Sequence, residues 1–564
     1  MSPSQLLVPL PRKSEQSESE YSMASRTLAH IHNLDNDSLL QIFSCYRLED
    51  EDDWNLQHAW RKLAHVCRRW RFLIFNSWSH LDMCLLLTND SPSLDTLSHL
   101  PPLSLIIDYS DKTRTITRKD KDNIHLGFQQ HGRVRRIALL APHSSLCMWL
   151  EPNQSMSKRF PKLRDLSLLS TTAEEISLVL PETLQAPDLR RLSLHGVGLP
   201  KGLSLLSSAS TLSTLSLTHI GASSYLPPGA LVTQLRGLSH LEELSIGFAI
   251  PIPLPSSEGE LLPAPVSPVT LPTLRRLTFR GVDAYLDNLV AQINTPLLER
   301  LSLTLLFDLA FTLVNLTKFI RRAKELRCVV ARVIFNKDGA SIYAGYYEQW
   351  GIGRFSLHVN VHCEPLDWQI DSATQVCGAL RNVLSAVEEL TLDLDADGMP
   401  PDWENTLDDI AWHELLLPFI GVKKLHIGSS LTPELSQALE SVSGELAPEF
   451  LPELQALEVP LEIDLATKAF AMFMKTRESV GRPVHLLIPS AEEIIRAKRL
   501  QNTLAAQRSR MRKLAYQREL EDAIDAERKE KETWQARALV LEELLRDKSL
   551  NVSSESFSTR TVPP

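Results

Sequence analysis

The sequence has few cysteines, no long apolar run and no glycine-rich loop, and each absence excludes a class of protein. The seven cysteines are scattered without a Cys-x-x-Cys pair, which argues against a zinc site or a disulfide framework and indicates free thiols in a reducing compartment. No run of eighteen apolar residues occurs, and the first residues lack the basic start and apolar stretch of a signal peptide. A soluble intracellular protein is therefore expected.

Patterns for catalysis are equally scarce. No glycine-rich phosphate loop and no nucleophile elbow is found, so neither an enzyme nor a cofactor is predicted. His362, Cys363 and Cys377 do not have the spacing of metal ligands, and we interpret them as parts of a repeat interior. The acidic run at residues 393–398 has the opening of a calcium loop, but two prolines would break that loop. We expect an acidic turn there, after a strand.

Positive charge is in short supply along most of the chain. It contains 59 Lys and Arg residues against 69 Asp and Glu residues, for a net charge of −10. A chain of this charge cannot coat nucleic acid along its whole length, so any nucleic-acid binding must be local. Apolar residues make up 43% of the 564 residues, which is enough for large cores in three to four structural units.

A short apolar unit recurs between residues 133 and 459. Its pattern is Leu-x-x-Leu-x-Leu, as in Leu189, Leu192 and Leu194. In the regular parts the copies start 23 to 35 residues apart, and they open at Val134, Leu163, Leu189, Leu212, Leu241, Leu274, Leu298, Val387, Val422 and Leu454. This spacing is typical of leucine-rich repeats, with one strand per turn of a solenoid. The predicted fold class is α/β, an irregular leucine-rich-repeat-like solenoid in which residues 331–382 contain strands but no clear unit.

Residues 30–87 have the pattern of a compact helical unit. An amphipathic stretch that Asp35 or Asp37 could cap precedes an acidic insert at residues 49–53 and the motif Leu-x-x-Val-Cys-x-x-Trp. The unit resembles the F-box variant common in mushroom-forming fungi, although Asp35 replaces the usual proline and the insert lengthens the first connection. The resemblance implies docking to the Skp adaptor of a cullin-type ubiquitin ligase through Leu34, Leu39, Leu40, Ile42, Phe43, Val66, Cys67 and Trp70. The alternative is a helical cap that closes the repeat array.

Helix-forming residues run from 491 to 546 without proline or glycine, which favours one long helix. No acidic residue occurs between residues 495 and 518, whereas the second half of the helix is mainly acidic. Small or polar side chains share one face of the basic half, at Asn502, Ala505, Ala506, Ser509 and Arg510. Such a face suits contact with base edges, whereas a core-facing stripe would be apolar. A solvated charged helix is the alternative.

The motif Asn-x-x-Ala-Ala-x-x-Ser-Arg resembles the basic region of basic leucine zipper (bZIP) proteins, in particular the fungal amino-acid-control type. By this resemblance Asn502 and Arg510 would read bases, and the two alanines and Ser509 would contact thymine methyls or a phosphate. Phosphate contacts are implied for the basic flanks, at Lys498, Arg499, Arg508, Arg512, Lys513 and Arg518. Gln507 stands where the family usually has Arg or Lys, which puts one phosphate contact in question.

The acidic half would then be the zipper. Its heptad seam contains Leu520, Ile524, Lys531, Trp534, Ala538, Leu541 and Leu545. Glu527 falls at a d position and Lys531 at an a position, and both weaken a seam that should be apolar. We therefore expect a marginal homodimer or a heterodimer with a better zipper. A lone helix that never dimerises is the alternative.

These patterns predict a series of segments along the chain. They are a disordered N-terminus at 1–25, an F-box-like helical domain at 26–90, the repeat region at 91–488, the basic leucine zipper at 491–548 (basic region 495–518, zipper 519–546) and a disordered tail at 549–564. One function that follows is a nuclear transcription factor that binds double-stranded DNA, with the F-box and repeats binding a protein. The other is a substrate-recognition subunit of a ubiquitin ligase, to which the zipper part was added by fusion.

Overall fold

A computed structural model of the chain describes residues 34–45, 59–81, 83–87, 102–111, 116–150, 156, 158–171, 178–200, 204–249, 268–306, 311, 313–326, 328–347, 353–363, 366–395, 409–441, 450–460 and 468–487. The chain divides into two compact units, Met1–Leu457 with Asp464–Leu486 and Glu458–Ile463 with Leu487–Pro564. Of the second unit only residues 458–460 and 487 are described. The predicted basic leucine zipper and both predicted disordered ends therefore lie outside the described residues. Within the described ranges, every helix is too short or too polar to cross a lipid bilayer.

Three helices are described in the N-terminal helical unit, α1 (Asn36–Cys45), α2 (Ala59–Ala64) and α3 (Arg68–Asn76). Helix α1 begins after Asp35, whose carboxylate accepts hydrogen bonds from the Ser38 amide at 2.6 Å and the Ser38 hydroxyl at 3.0 Å. These bonds hold the pKa of the Asp35 carboxyl below its usual range. Of the two predicted capping residues, Asp35 is thus the one that caps the helix.

The first and third helices of this unit are joined by side-chain contacts. The ring of Phe43 meets the ring of Trp70 edge-on, with centroids 4.9 Å apart. Arg69 donates from Nη2 to the Leu34 carbonyl at 2.5 Å and to the Asn36 side chain at 2.9 Å. Because both ends of α1 are held in this way, the unit is compact although the residues between α1 and α2 are not described.

The described residues that follow contain twenty strands, and sixteen of them form one sheet in the order β1-β2-β3-β4-β6-β8-β9-β11-β13-β16-β15-β14-β17-β18-β19-β20. The main-sheet strands up to Leu306 are β1 (Cys84–Leu87), β2 (Ser104–Tyr109), β3 (Val134–Ala141), β4 (Asp165–Ser170), β6 (Arg191–His195), β8 (Thr214–Ile220), β9 (Glu243–Phe248), β11 (Arg276–Gly281) and β13 (Arg300–Leu306). The later ones are β14 (Val330–Asn336), β15 (Gly339–Tyr347), β16 (Gly353–His362), β17 (Glu389–Leu394), β18 (Lys424–Ile427), β19 (Ala456–Glu458) and β20 (His485–Leu487). Two small sheets pair β5 (Leu178–Val179) with β7 (Val197–Gly198) and β10 (Val269–Thr270) with β12 (Ile293–Asn294).

The repeated leucines explain why the strands from β3 to β13 are parallel and in register. The second leucine of each unit pairs with its equivalent in the next strand, so Leu166 lies opposite Leu192 and Leu192 opposite Leu215. From β4 onward the opening residue lies just before the strand and is also buried, as Leu163 and Leu189 are. Three apolar side chains per repeat thus enter the core, and each fully buried leucine contributes about 1.5–3 kcal/mol. The repeat prediction is confirmed for this part of the chain.

Helices lie between many of the strands. They are α4 (Arg118–Gln129), α5 (His143–Leu150), α6 (Ser204–Ser208), α7 (Pro228–Leu235), α8 (Asp283–Ala291), α9 (Val314–Arg322), α10 (Leu366–Ala379), α11 (Arg381–Leu384), α12 (Asp409–Leu416), α13 (Thr432–Ser441) and α14 (Ala471–Ser479), with short 3-10 turns at Ala222–Ser224 and Ser429–Leu431. Apolar helix side chains such as Leu289 and Trp412 are buried. The Trp412 ring meets Phe335 of β14 edge-on at 5.8 Å, so helices cover the leucine-bearing face of the sheet.

An antiparallel insertion interrupts the parallel array between β13 and β17. Strand β14 forms a hairpin with β15, and β15 pairs antiparallel with β16. The last strand of this insertion, β16, lies beside β13, whereas the first, β14, lies beside β17, and both of these contacts are parallel. The order of the three strands in the sheet is therefore reversed relative to the chain. The sequence had predicted strands without a repeat unit here, and the fold is a mixed α/β one with a large, mainly parallel sheet.

Two buried charged side chains complete the packing of the later repeats. Asp287 of α8 accepts hydrogen bonds from the amides of Asn315 (2.8 Å) and Leu316 (2.9 Å) in the first turn of α9. Arg477 of α14, which is 2% exposed, donates to the carbonyls of Phe450 at 3.3 Å and Leu454 at 3.2 Å. Each side chain satisfies backbone groups that the secondary structure leaves unpaired.

Candidate functional site

The outer face of the sheet is its polar face, opposite the face on which the repeated leucines are buried. Side chains alternate along a strand, so the residues between the buried leucines point to this opposite face. In β6, for example, Leu192 and Leu194 are buried while Arg191 is exposed and Ser193 is half-buried. Because every strand from β4 to β13 has the same register, residues at equivalent positions form continuous rows across the outer face.

One row of the outer face consists of small hydroxyl side chains. Its members occupy successive strands in direct register, at Ser167, Ser193, Ser216, Ser245, Thr278 and Ser302. Short side chains leave the backbone of these strands accessible, and hydroxyls both donate and accept hydrogen bonds. This hydroxyl row therefore forms a shallow polar strip that an extended chain could contact.

The neighbouring row carries charges of both signs, with Arg136, Asp165 and Arg191 in register on one side of Thr214 and Glu243, Arg276 and Arg300 on the other. Arg136 pairs with Asp108 at 3.2 Å, Arg191 pairs with Asp165 at 2.5 Å, and Arg276 also pairs with a carboxylate of the adjacent strand. Surface pairs contribute about 0–1 kcal/mol each, so such charges remain usable for recognition at little cost to stability. The outer face thus offers both charges close to the hydroxyl row.

The hydroxyl row ends at the antiparallel insertion, where an aromatic cluster begins. His358 of β16 lies opposite Ser302, and its ring stacks on Tyr343 of β15 with centroids 4.4 Å apart and planes 6° apart. Tyr343 also packs against Phe355 at 5.2 Å, and Phe355 is 40% exposed. A β-bulge in the pairing of β15 with β16 accompanies the exposed position of Phe355. An exposed phenylalanine among polar rows is a plausible anchor for a partner side chain.

A groove of about 630 Å³ lies at this aromatic cluster, near the start of β13 and β16. Its apolar lining comes from Val329, Tyr346 and Phe355, and its charged lining from Glu299, Arg300 and Glu325. Burial lowers the pKa of the adjacent His358 imidazole, which keeps that ring neutral around pH 7. The groove thus combines apolar side chains with charges of both signs, and protein-binding surfaces have such a mixed composition.

The contact between Ser302 and His358 does not form a catalytic pair. The Ser302 hydroxyl lies 3.3 Å from His358 Nδ1, but His358 Nε2 is buried and has no hydrogen-bond partner among the described residues. A similar contact joins His195 Nδ1 and the Thr218 hydroxyl at 3.1 Å. Both contacts link residues that face each other on adjacent strands, so they follow from strand register and not from the geometry of a nucleophile and its base.

The predicted adaptor-binding residues divide between the interior and the surface of the helical unit. Leu39 and Phe43 are buried, at 0% and 4% exposure, so they pack inside the unit and cannot contact an adaptor in this conformation. Ile42 and Val66 are exposed, at 47% and 57%. The remaining predicted residues are half-buried, namely Leu34, Leu40, Cys67 and Trp70.

One exposed apolar residue next to the motif is missing from the predicted adaptor contacts. Phe72 of α3 is 68% exposed, more than any other large apolar side chain among the described residues. Its neighbours Leu73 and Ile74 are buried, so α3 places one apolar side toward the unit and Phe72 away from it. Residues 72–75 of this helix are four consecutive apolar residues. Four consecutive residues cannot all lie on one helix face, so the sequence could have indicated that one of them, such as Phe72, is exposed.

The residues predicted to contact DNA and to form the zipper, from Lys498 to Leu545, lie outside the described residues. In contrast, Cys363, Cys377 and Asp393, which were considered for metal or thiol chemistry, lie among the described residues. Burial raises the pKa of the Cys363 and Cys377 thiols, which disfavours reactive thiolates at neutral pH. Asp393 pairs with Arg332 at 2.6 Å. In the part of the chain that the structure describes, no group of three or more His, Cys, Asp or Glu residues could hold a metal ion.

Comparisons with known proteins leave the family open. No protein-family model matches the chain, and no curated protein matches it. Among solved structures, the crystal structure of a TLR13–ssRNA13 complex matches with 11% sequence identity and a TM-score of 0.26. The match covers 69% of this chain and 48% of that one, so the chain spans about half the length of this neighbour. So low a TM-score does not establish a common fold.

Proposed function

We propose that this chain is a sequence-specific DNA-binding protein whose repeat region binds a protein partner. The observation that carries the proposal is the set Asn502, Ala505, Ala506, Ser509 and Arg510, which share one helix face within a basic stretch free of acidic residues. Slim side chains allow a helix to enter the major groove, an asparagine and an arginine can bond base edges, and the surrounding cations bind phosphates. The acidic half that follows would join two such helices.

The proposal is tested by gel shift with the full chain. We expect it to shift a duplex that contains a palindromic pair of TGAC-like half-sites, with an affinity that falls steeply as salt rises. Asn502→Ala should cost about 1–3 kcal/mol on this duplex and relax base preference, while Arg512→Ala should weaken binding to all sequences alike. Equal losses on specific and random DNA for Asn502→Ala would refute the base-reading role.

A second candidate function is substrate recognition in a cullin-type ubiquitin ligase. It is favoured by the exposure of Ile42, Val66 and Phe72 on the helical unit, since exposed large apolar side chains are typical of interaction sites. The outer face of the sheet, with its hydroxyl row and aromatic cluster, would then bind the substrate. The alternative for the helical unit remains a cap that closes the first edge of the sheet.

Co-purification of the full chain with a Skp adaptor tests this second function. The wild type should retain the adaptor, and the pair Ile42→Asp with Phe72→Asp should release it, because both side chains lose their apolar contact at the interface. Met472→Asp is the matched control, since Met472 is 59% exposed on α14, far along the chain from the helical unit. If the wild-type chain fails to retain the adaptor, the cap interpretation is the better one.

Whether one polypeptide holds both activities can be tested on its transcripts. The change from a repeat pattern to a zipper pattern at Ser490 is abrupt, which supports the hypothesis that two modules were joined. Long-read sequencing across this junction should give a single message if the fusion is real. Two separate messages would refute it and would assign DNA binding and adaptor binding to different proteins.

A further inference from the structure

The first three repeats place an arginine at the same position, at or just before the start of each strand. Arg164 donates its amide to the Arg135 carbonyl at 2.8 Å, and Arg190 donates its amide to the Arg164 carbonyl at 2.8 Å. The three residues are therefore direct neighbours across adjacent strands, with backbones about 4.8 Å apart. The Arg135 guanidinium also reaches β1, where it donates from Nη1 to Cys84 Sγ at 3.7 Å.

Later repeats use this position differently. The ladder continues through Ser213 to Glu242, Arg275 and Glu299, so the sign alternates, and Arg275 forms an ion pair with Glu299. Farther along, Lys423 pairs with Glu388 at 2.9 Å. Alternating charges on neighbouring strands stabilise a sheet, whereas like charges destabilise it. The first repeats thus differ from the later ones in having successive residues of one charge sign at this position.

Two of these arginines, Arg135 and Arg164, line a groove at the edge of β1 to β4. This basic groove has a volume of about 270 Å³, and its charged lining comes from Arg135, Lys162, Arg164 and Asp188. The indole of Trp78 and the thioether of Met83 supply apolar lining. Positive charge is concentrated here although the whole chain has a net charge of −10.

We propose that the basic groove binds a short acidic segment of a partner protein. Guanidinium groups bind carboxylates with paired hydrogen bonds, and the adjacent indole can contact an apolar side chain between two acidic ones. The row of arginines spans about 10 Å, the length of three extended residues, before it reaches Ser213 and then the acidic Glu242. A nucleic-acid backbone needs a longer basic track, so a peptide is the better match.

The proposal rests on the proposed role of the repeat region in binding a protein, and it assigns the chemistry of that partner. The probe is a fluorescein-labelled peptide of alternating glutamate and leucine, titrated with the full-length protein and followed by fluorescence anisotropy. The matched probe has glutamine in place of every glutamate. We expect the acidic peptide to bind, the glutamine peptide to bind at least tenfold more weakly, and added salt to weaken binding.

Charge-reversal variants locate the site. Lys162→Glu and Arg164→Glu should each reduce the affinity for the acidic peptide several-fold, and the double variant by more than tenfold. Arg280→Glu is the control, because Arg280 is an exposed residue of β11 outside the groove and the change in net charge is identical. Circular dichroism on each variant establishes that it is folded, and Lys162 is the safest position because its side chain is exposed.

Several outcomes would overturn the proposal. They are equal binding of the two peptides, no binding of either, or an equal effect of Arg280→Glu and Lys162→Glu. In a further experiment, random duplex DNA and unlabelled peptide each compete with the labelled peptide. If DNA displaces the labelled peptide at lower concentrations than the unlabelled peptide does, the groove binds nucleic acid. Gel shifts with the same preparations separate the two proposals. If the acidic peptide does not bind but Asn502-dependent DNA binding persists, the groove proposal is wrong and the DNA-binding function stands.

Discussion

Replacement of Asp287 tests how the helices of the repeat region are held together. Helix α9 begins after Leu313, which provides no side-chain cap. The carboxylate of Asp287 on α8 takes that role, since it accepts hydrogen bonds from the amides of Asn315 and Leu316 and from the Asn315 side chain, at 2.8, 2.9 and 2.8 Å. Asp287 is only 8% exposed, so water cannot easily replace these bonds.

The size of the effect follows from these contacts. Each hydrogen bond to a charged acceptor contributes about 1.5–3 kcal/mol, and the interaction with the helix dipole adds about 0.3–1 kcal/mol. Because such contributions are not additive, we expect Asp287→Ala to cost about 3 kcal/mol of local stability. Asp287→Asn keeps an acceptor oxygen but removes the charge, and it should cost about 1 kcal/mol.

Hydrogen–deuterium exchange is the appropriate assay because a chain of this length does not unfold in two states. A loss of about 3 kcal/mol corresponds to exchange roughly a hundredfold faster in peptides from α9, since every 1.4 kcal/mol is a factor of ten. Asp371→Ala is the control, because Asp371 is an exposed residue of α10 that accepts a bond from Gln375 at 3.2 Å. Exchange in α9 that stays within twofold of the wild type in Asp287→Ala would refute the capping role.

Three further predictions concern the core and the outer face. Leu194→Ala should cost about 2–5 kcal/mol because Leu194 is fully buried, whereas Ser193→Ala, one residue away on the outer face, should be nearly neutral in thermal denaturation. Arg477→Met should lower the melting temperature, since it leaves the carbonyls of Phe450 and Leu454 unpaired at a cost of about 1–3 kcal/mol, and wild-type stability in this variant would contradict the assignment. Burial lowers the pKa of His358 below its ordinary 6.5, so the unfolded state binds the proton more readily and stability should fall as the pH drops below about 6.5. His358→Gln should remove that part of the pH dependence, measured as melting temperature between pH 8 and pH 5.

The repeat strands could be predicted because their signal is local. Leu189, Leu192 and Leu194 occur at the spacing that one strand and its preceding turn require, and the same spacing sets the register with the next unit. The antiparallel insertion could not be predicted in the same way. The alternating apolar residues of β16, such as Leu357 and Val359, indicate a strand but do not indicate that β13 is its neighbour. Pairing order depends on the whole sheet, and a reversed order has no short-range pattern.

The candidate site residues could also be predicted from the sequence only in part. The motif at Cys67 and Trp70 indicated a helical unit but not where its helices begin. In the structure Cys67 caps the start of α3 by accepting a hydrogen bond from the Trp70 amide, and Trp70 packs on Phe43. The motif did not predict which apolar side chains face inward, and Phe43 proved to be buried while Phe72 is exposed. An amphipathic pattern identifies an apolar face, but only tertiary packing decides what that face meets. The basic groove likewise depends on Arg135 and Arg164, which neighbouring strands bring together from separate repeats.

The reversed strand order has a consequence for synthesis on the ribosome. The repeats up to Leu306 can assemble as they emerge, but β13 has to wait for β16, which ends at His362. At roughly 5–20 residues per second, that delay is several seconds, during which one edge of the nascent sheet has no partner strand. An open edge is a template for pairing with other chains, so this interval is the time when the newborn protein most needs a chaperone.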